Sequence, residues 1–337
     1  MKILVYEPNW LGDVIFTSPA PEALKKHFKG SFIGCVVPRR CADALRYNPY
    51  VDEIIEFDER AAGSNLLEKI KFISTLSQKK YDMSILFHRS LSRTLFCCLA
   101  GIKKRVGYAY RKRAFLLTGK ISPVSKDSLH KQDYYLNILE KMGVRIEDKN
   151  CRFYLSEQQR NWAAKFIEKH SKDEKYLIAI NPLSNWPPKD WGIENYTELI
   201  SLLKEKLNSV KFFITSKNKD DRIAPLIEKH KEALIDLSGG TSLLELAGLY
   251  EKMNLVISGD SGPLHLGAAL NTKYLGLYGP TNPFLTGVRA KTEGEIIFEN
   301  NSCSTPCYIR DCEKDYICLS RITPQRVLEA ALKLLKC

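Results

Sequence analysis

Short apolar runs alternate with amphipathic stretches along this chain, and that alternation restricts its fold more than any other feature. Strands separated by helices imply βαβ units and parallel sheets. The runs predict four strands in the first half, at Ile3–Tyr6, Phe32–Val37, Glu53–Phe57 and Met83–Phe87. They predict five in the second half, at Leu177–Asn181, Lys211–Thr215, Leu234–Leu237, Leu255–Ser258 and Tyr274–Tyr278. The sequence therefore predicts an α/β protein with two successive sheets.

The helical patterns carry their own boundary signals. One helix is predicted over Val14–Phe28, and another over Leu129–Met142, ending at Gly143 as a C′ residue. Ser156 with Gln159, and Ser242 with Glu245, have the spacing of capping boxes. We therefore expect a domain at residues 1–153, a second at residues 154–322, and a terminal helix within residues 323–337 that packs back on the first domain.

Length and charge limit the classes of function. At about 150 residues per domain, 337 residues suggest two domains, each able to bury a full core. The formal net charge of +12 favours anionic partners: nucleic acid, a phospholipid surface or a phosphorylated substrate. The longest uncharged apolar stretch, Thr94–Ile102, is far below the ~20 residues that span a bilayer. We expect a cytoplasmic protein that contacts membrane only peripherally.

The segment Ile257–Leu270, ISGDSGPLHLGAAL, is the clearest chemical motif. A strand ends at Ser258, and a turn leads into a helix with proline at its first position. Amides at Ser261 and Gly262 can approach a phosphate at the helix N-terminus, and His265 can meet the same anion. Asp260 can accept from a hydroxyl or order the turn. The alternative interpretation makes Asp260 a helix cap and His265 a core histidine.

The loop Asn181–Trp191, NPLSNWPPKDW, follows the first strand of the second half. Ser184 and Asn185 supply hydrogen-bond donors and Lys189 supplies a cation, a set suited to a pyrophosphate. The alternative is a packed Trp/Pro surface loop with a solvated lysine.

The segment Pro8–Asp13, PNWLGD, takes the corresponding position in the first half. The helix dipole alone favours a carboxylate at Asp13. Asp13 also faces the expected inter-domain cleft, where a carboxylate can act as general base toward a hydroxyl.

Four cysteines lie within 16 residues late in the chain: Cys303, Cys307, Cys312 and Cys318. Four thiols can bind a structural Zn²⁺. The spacing contains no C-x2-C pair, so a cluster of reduced or partly bridged thiols is the competing interpretation.

With these motifs in view, the chain resembles the bacterial ADP-heptose:lipopolysaccharide heptosyltransferases, glycosyltransferase family 9, in particular their heptosyltransferase II branch. The resemblance is carried by the segments NWLGD, WPPKDW, SLLELAGLYEKMNLVISGDSGPLHLGAAL, LYGPTNP and CSTPCYIRDC. The resemblance implies a GT-B fold, with two Rossmann-like domains facing each other across a cleft. It implies transfer of heptose, with inversion, from ADP-L-glycero-D-manno-heptose to the lipopolysaccharide inner core. The first domain would be the acceptor side and the second would bind the nucleotide sugar.

The resemblance also assigns residues. Asp13 falls on the catalytic base, and Lys189 on a catalytic lysine that contacts the donor phosphates. Donor binding is expected at Ser184, Asn185, Lys189, Asp260, Ser261, Gly262 and His265, with an adenosine-side acid at Asp220 or Asp221, of which we assign Asp221. Acceptor binding is expected at Asn9, Arg89 and Arg93.

The expected partners are ADP-heptose, the lipopolysaccharide core acceptor and inner-membrane lipid at the cytoplasmic face. Basic residues such as Arg39, Arg40, Lys103 and Lys104 supply a surface for anionic headgroups. No RNP-like or helix-turn-helix pattern supports nucleic acid. No DxD-type metal motif lies at the expected cleft, so we expect no required cofactor, with structural zinc at the cysteines as an additional possibility.

Two other classes of function make different predictions. A nucleotide-dependent oxidoreductase predicts G-x-G-x-x-G after the first strand, where this chain has NWLGD. A basic binding module would need neither Asp13 nor Lys189. Within the family, another nucleotide-sugar donor or another glycan or protein acceptor stays open.

Overall fold

A computed structural model describes residues 1–58, 65–125, 127–171, 174–299 and 303–337. These residues form two compact units, Met1–Tyr154 and Leu155–Cys337. The division falls one residue from the boundary that the sequence predicts. Among the residues described, no helix is both long and apolar enough to cross a bilayer.

Unit 1 is built on one parallel sheet of strand order β3-β2-β1-β4-β5-β6. Its strands are β1 (Lys2–Tyr6), β2 (Phe32–Pro38), β3 (Glu53–Phe57), β4 (Met83–Leu86), β5 (Lys104–Tyr108) and β6 (Gly119–Ile121). The first four were predicted. Strand β5 was missed because it opens with two cations, Lys104 and Arg105, and β6 because it has only three residues.

The helices of unit 1 are α1 (Leu11–Thr17), α2 (Ala20–His27), α3 (Leu66–Lys79), α4 (Leu91–Leu99) and α5 (Lys131–Glu140), with 3₁₀ turns at Arg39–Ala44 and Arg111–Leu116. The single helix predicted over Val14–Phe28 is two helices. Pro19 has no N–H to continue the hydrogen-bond ladder of α1, and it becomes the N-cap residue of α2. The predicted end at Gly143 is confirmed: Gly143 has a φ of 83°, and its N–H and that of Val144 close the last turn of α5.

Unit 2 repeats the plan with strand order β12-β11-β10-β7-β8-β9, again all parallel. Its strands are β7 (Tyr176–Asn181), β8 (Val210–Ile214), β9 (Leu234–Asp236), β10 (Leu255–Gly259), β11 (Tyr274–Tyr278) and β12 (Gly294–Phe298). Only β12 was missed, because its first two residues, Gly294 and Glu295, do not continue an apolar run.

The helices of unit 2 are α6 (Glu157–His170), α7 (Ile193–Lys206), α8 (Ala224–His230), α9 (Leu243–Lys252), α10 (Gly262–Ala269), α11 (Pro283–Thr286), α12 (Ile317–Ser320) and α13 (Pro324–Leu335), with 3₁₀ turns at Pro187–Lys189 and Asp221–Ile223. The capping box at Ser242 is confirmed. The one at Ser156 is wrong, because the Ser156 hydroxyl bonds the Gln159 side chain and caps no backbone N–H.

The terminal helix α13 packs within unit 2, and its contact with the first domain stays a prediction. Its apolar face, including Val327, Leu328 and Leu334, lies in the same buried cluster as Leu199 and Leu203 of α7. Burial of that face fixes the helix to the sheet of its own unit.

Each sheet reverses its strand order at one point: between β1 and β4 in unit 1, and between β7 and β10 in unit 2. In open parallel sheets, ligands bind beyond the carboxyl ends of the strands at this switch point. The loops that follow β1, β4, β7 and β10 are therefore the places to look for function.

Candidate functional site

The loop after β1 brings Asp13 into the first turn of α1, where the helix dipole favours a carboxylate. Asp13 is buried, and its Oδ1 accepts a 2.8 Å hydrogen bond from the Tyr135 hydroxyl of α5. Lys131 Nζ lies 3.4 Å from the same oxygen. Burial and the adjacent Asp13 raise the pKa of Tyr135 well above its ordinary value, so this hydroxyl stays a donor. Both partners engage Oδ1 of Asp13.

Asn9, a predicted acceptor residue, is held in place by two arginines. Arg93 donates to Asn9 Oδ1 over 2.6 Å, and Arg40 donates to its carbonyl oxygen over 2.8 Å. Arg93 is itself buried, with its guanidinium over the rings of Tyr6 and Phe57. The structure thus gives Arg93 an internal role that orients Asn9, and its contact with an acceptor stays a prediction.

Arg89 is the exposed member of the predicted acceptor set. Its guanidinium lies over the rings of Tyr110 and Tyr134, 5.2 and 4.6 Å from their centroids. These contacts pre-orient a cation on the loop that follows β4, which suits binding of an anionic group.

Arg113 is a cation that the sequence analysis did not assign to the site. It is buried and donates to the carbonyl oxygens of Leu86 and His88, at the end of β4. Burial lowers its pKa to about 10. Burial, together with Arg93, Arg113 and Arg89, lowers the pKa of His88 to about 3, so His88 is a neutral imidazole. The positive charge at the end of β4 therefore comes from the arginines, and His88 does not contribute to it.

Unit 2 has an open pocket at its switch point. The loops after β7 and β8 and the start of α10 supply its lining: Asn181, Leu183, Ser184, Asn185, Ser216, Lys217, Asn218, Asp220, Arg222, Ser261, Gly262 and Pro263. Four predicted donor residues are brought together here, namely Ser184, Asn185, Ser261 and Gly262. Nothing in the local sequence identified Ser216, Lys217, Asn218 or Arg222, because the fold carries the loop after β8 to this pocket.

The start of α10 faces this pocket with its backbone. Ser261 is the N-cap residue but makes no side-chain cap; its hydroxyl lies 2.8 Å from the Ser258 hydroxyl instead. The first-turn N–H groups of this eight-residue helix are therefore not satisfied by a serine cap, and the residues at its start, Ser261, Gly262 and Pro263, line the pocket. The alternative interpretation, in which Asp260 caps this helix, is wrong, because Ser261 is the N-cap residue and no side chain caps the helix.

Asp260 instead lies at the centre of a buried polar cluster. Lys189 Nζ donates to its carbonyl oxygen over 2.9 Å and to Oδ2 over 3.1 Å, and the Thr286 hydroxyl donates to Oδ2 over 3.1 Å. His265 Nε2 lies 3.4 Å from Oδ1. Burial alone would raise the pKa of Asp260, but the hydrogen bond with His265 and the charge of Lys189 hold it well below its ordinary range. Asp260 is thus an anion that orders the turn and anchors Lys189.

The backbone at Gly259 is packed closely against the Lys189 loop. A Cβ at Gly259 would come within 3.0 Å of the Lys189 carbonyl oxygen. Asp190 closes the loop on its other side, since its Oδ1 accepts from the Ser184 N–H over 2.7 Å. Trp191 anchors the end of the loop in the core by donating to the Ile322 carbonyl oxygen. The loop is therefore a rigid part of the site, and not a surface loop with a solvated lysine.

The acidic position near the pocket needs a correction. Asp220 lines the pocket and is held by Arg222 through bonds of 3.0 and 2.8 Å, whereas Asp221, which we assigned, is exposed and does not line it. Asp220 caps the 3₁₀ turn that begins at Asp221 by accepting a hydrogen bond from the Arg222 N–H.

The four late cysteines lie near one another. Burial raises the pKa of the Cys318 thiol, and the Cys303, Cys312 and Cys307 thiols add to that effect. The residues described contain no disulfide and no group of three or more His, Cys, Asp or Glu side chains placed to hold a metal ion. Zinc at these cysteines stays a prediction from their spacing alone.

Comparisons with known proteins agree on one family. The model of glycosyltransferase family 9 (heptosyltransferase) matches residues 69–317. Lipooligosaccharide heptosyltransferase 2 of Haemophilus ducreyi is 28% identical, with all of both chains aligned, and lipopolysaccharide heptosyltransferase 2 of Escherichia coli K12 is 25% identical over 85% of each.

Solved structures give the same result. The glycosyltransferase family 9 protein of Veillonella parvula superposes with a TM-score of 0.88 at 26% identity, covering 99% of this chain and 97% of its own. ADP-heptose lipopolysaccharide heptosyltransferase II of E. coli superposes with a TM-score of 0.80 at 24% identity, covering 100% and 99%. The predicted fold class, two Rossmann-like domains of the GT-B type, is confirmed.

Proposed function

The chain belongs to glycosyltransferase family 9, and on that premise we propose that it transfers heptose from ADP-L-glycero-D-manno-heptose to the lipopolysaccharide inner core, with inversion at the anomeric carbon. The observation that carries the proposal is the pocket of unit 2, where the start of α10 meets the loop after β7 and the cations Lys217 and Arg222. Helix amides and a cation are the groups that recognise a diphosphate.

The donor would bind in this pocket through its diphosphate and adenosine. The amides at Ser261 and Gly262, which line the pocket, would bind the phosphate oxygens, and Lys217 and Arg222 add positive charge to the lining. Asp220 is an acceptor suited to ribose hydroxyls. Lys189, held by Asp260, would respond to the charge that develops on the departing ADP.

In the reaction, the acceptor hydroxyl oxygen forms a bond to the anomeric carbon while the bond from that carbon to the ADP oxygen breaks. Asp13 receives the hydroxyl proton, and ADP leaves with the bonding electron pair. The transition state is oxocarbenium-like, as in glycoside hydrolysis. Lys189 and the N-terminus of α10 supply fixed positive charge where negative charge develops, so little reorganisation is needed at the moment of transfer.

The acceptor side would use unit 1. Arg89 offers an exposed, ring-supported cation, and Asn9 a fixed amide. The acceptor is linked to lipid, so we also propose that the protein works in peripheral contact with the inner membrane.

A panel of nucleotides tests the donor class. Thermal stability should rise with ADP and ADP-heptose and not with UDP, GDP or NAD, because ligands that bind only the folded state stabilise it. Transfer should then be measured by mass spectrometry, as addition of one heptose to a heptosyl-Kdo2-lipid A acceptor. Stabilisation by UDP or GDP in place of ADP, or transfer of a different sugar, would replace this proposal with another family 9 activity.

A further inference from the structure

Helices α3 and α4 lie side by side on one face of the sheet of unit 1. Their inner faces meet through Phe72 and Phe96, whose ring centroids are 6.0 Å apart, and Leu76 and Cys97 are buried beneath them. This packing determines which side chains of the two helices point outward.

The outward face of α4 and the beginning of α3 are apolar where solvent-facing helices are ordinarily polar. On α4, Leu91, Leu95 and Leu99 follow one another at four-residue intervals and so share one face. All three are exposed, Leu99 to 59%. On α3, Leu66, Leu67 and Ile70 are exposed as well, Leu67 to 66%.

A third element adds to this surface. The 3₁₀ turn Arg111–Leu116 contacts α4 and exposes Phe115 to 86%. Together these seven side chains form what we call the leucine face: Leu66, Leu67, Ile70, Leu91, Leu95, Leu99 and Phe115. Exposed apolar side chains on neighbouring elements of this kind are typical of an interaction site.

Exposed lysines lie on or next to the elements that form the leucine face. Lys71 lies on α3, Lys103 and Lys104 follow α4, and Lys112 lies on the same turn as Phe115; all four are exposed. Apolar side chains with a cationic rim are the combination by which proteins lie on an anionic membrane surface, the apolar part entering the headgroup region and each lysine adding roughly 1 kcal/mol of attraction.

We propose that the leucine face docks this protein on an anionic lipid bilayer. A second copy of the chain is the weaker occupant, because a symmetric interface would bring like-charged rims together. The inference rests on the proposed function in one respect: α4 begins two residues after Arg89, so docking would place the acceptor-side cation near a lipid-linked substrate.

Vesicle flotation tests the apolar part of the face. The full-length protein should float with vesicles of phosphatidylcholine mixed with phosphatidylglycerol. Leu91→Gln/Leu99→Gln should reduce the bound fraction by a factor of at least about ten, since each leucine that leaves water contributes to partition. The matched control, Phe284→Gln/Ile309→Gln, changes two exposed apolar residues of unit 2 and should float like the wild type.

A second pair of variants tests the rim. Lys103→Glu/Lys104→Glu should abolish flotation on the mixed vesicles, whereas Lys204→Glu/Lys206→Glu, with the same change in net charge on α7, should retain it. If both double variants lost flotation equally, the vesicles would be attracted by the net charge of the whole protein, and the proposal would be overturned. Flotation of the leucine variant at the wild-type level, or no wild-type flotation at all, would also overturn it.

Two further measurements separate the possible causes. If the wild type sediments as a dimer that Leu91→Gln/Leu99→Gln converts to a monomer, a second copy covers the face and the proposal fails. Heptose transfer to a delipidated, water-soluble acceptor should be equal in wild type and leucine variant. Flotation without any heptose transfer would refute the proposed function, whereas the proposed docking surface would still be supported.

Discussion

The contact between Lys189 and Asp260 gives the most quantitative prediction. We expect Asp260→Asn to destabilise unit 2 by about 2 kcal/mol, in the range for loss of a buried charged hydrogen bond. Asp260 is 5% exposed and meets Lys189 at 3.1 Å through Oδ2 and at 2.9 Å through its carbonyl oxygen.

The magnitude follows from this geometry. Two unit charges at this distance attract by roughly 5 kcal/mol at an effective dielectric constant of about 20. Desolvation of both groups offsets much of that gain. The Lys189 side chain is 22% exposed, which reduces the net contribution further. Lys189→Met should cost a similar amount or less, because Asp260 keeps Thr286 as a donor.

A double-mutant cycle isolates the pairwise contribution. The four proteins are the wild type, Asp260→Asn, Lys189→Met and the double variant, unfolded with urea as full-length chains. Tryptophan fluorescence reports mainly on unit 2, which holds Trp162, Trp186 and Trp191. We expect a coupling free energy of at least about 1 kcal/mol, typical of residues in one hydrogen-bonded network.

Acid provides an independent reading of the same contact. The pKa of Asp260 in the folded protein lies below its unfolded value, so the ionised carboxylate stabilises the fold above about pH 4 and that stabilisation is lost as pH falls further. The difference in free energy of unfolding between wild type and Asp260→Asn should therefore decrease as the pH falls below about 4. Two results together would refute the view that Asp260 anchors Lys189: destabilisations by the single variants that add up in the double variant at pH 7, and a difference between wild type and Asp260→Asn that does not decrease in acid.

Three further predictions concern other buried or pocket groups. Burial raises the pKa of Glu7 to about 7, so the folded state retains a proton that the unfolded state loses from about pH 4 upward. Stability should therefore fall between about pH 5 and pH 7, and Glu7→Gln should flatten that decline in thermal melts; equal slopes would contradict this. Tyr135→Phe removes the donor to Asp13 and should lower kcat about tenfold with unchanged ADP affinity, as measured by steady-state kinetics and calorimetry; unchanged kcat would remove Tyr135 from the mechanism. Asp220→Asn should weaken ADP binding by about tenfold while Asp221→Asn does not, and the reverse order would restore the assignment to Asp221.

Much of the fold could be predicted because parallel strands buried on both faces leave apolar runs that are visible locally. β10, with the residues Leu255, Val256 and Ile257 all fully buried, is a case of this kind. Strand β5 could not be found in that way, because Lys104 and Arg105 open it at the exposed end of a strand. The helix break at Pro19 was visible in principle, since proline lacks the N–H that a continuous helix needs.

The site was predictable only in its local parts. The turn before α10 and the position of Asp13 follow from short segments of sequence. The partners of these residues do not: Tyr135 is 122 residues from Asp13, and Asp260 is 71 residues from Lys189. The pairing of β7 with β10 brings the second pair together, and no periodicity within either segment encodes that pairing.

In the proposed mechanism, Asp13 accepts the proton from the acceptor hydroxyl while the pocket of unit 2 holds ADP-heptose. Comparing Asp13→Asn with the wild type, in single-turnover transfer and in donor titration on the same protein, tests it most directly. We expect the ADP-heptose dissociation constant to stay unchanged within about twofold and the transfer rate to fall by a factor of 10² to 10⁴, roughly the range for a general base. Transfer by the asparagine variant at a near wild-type rate would contradict the proposed mechanism.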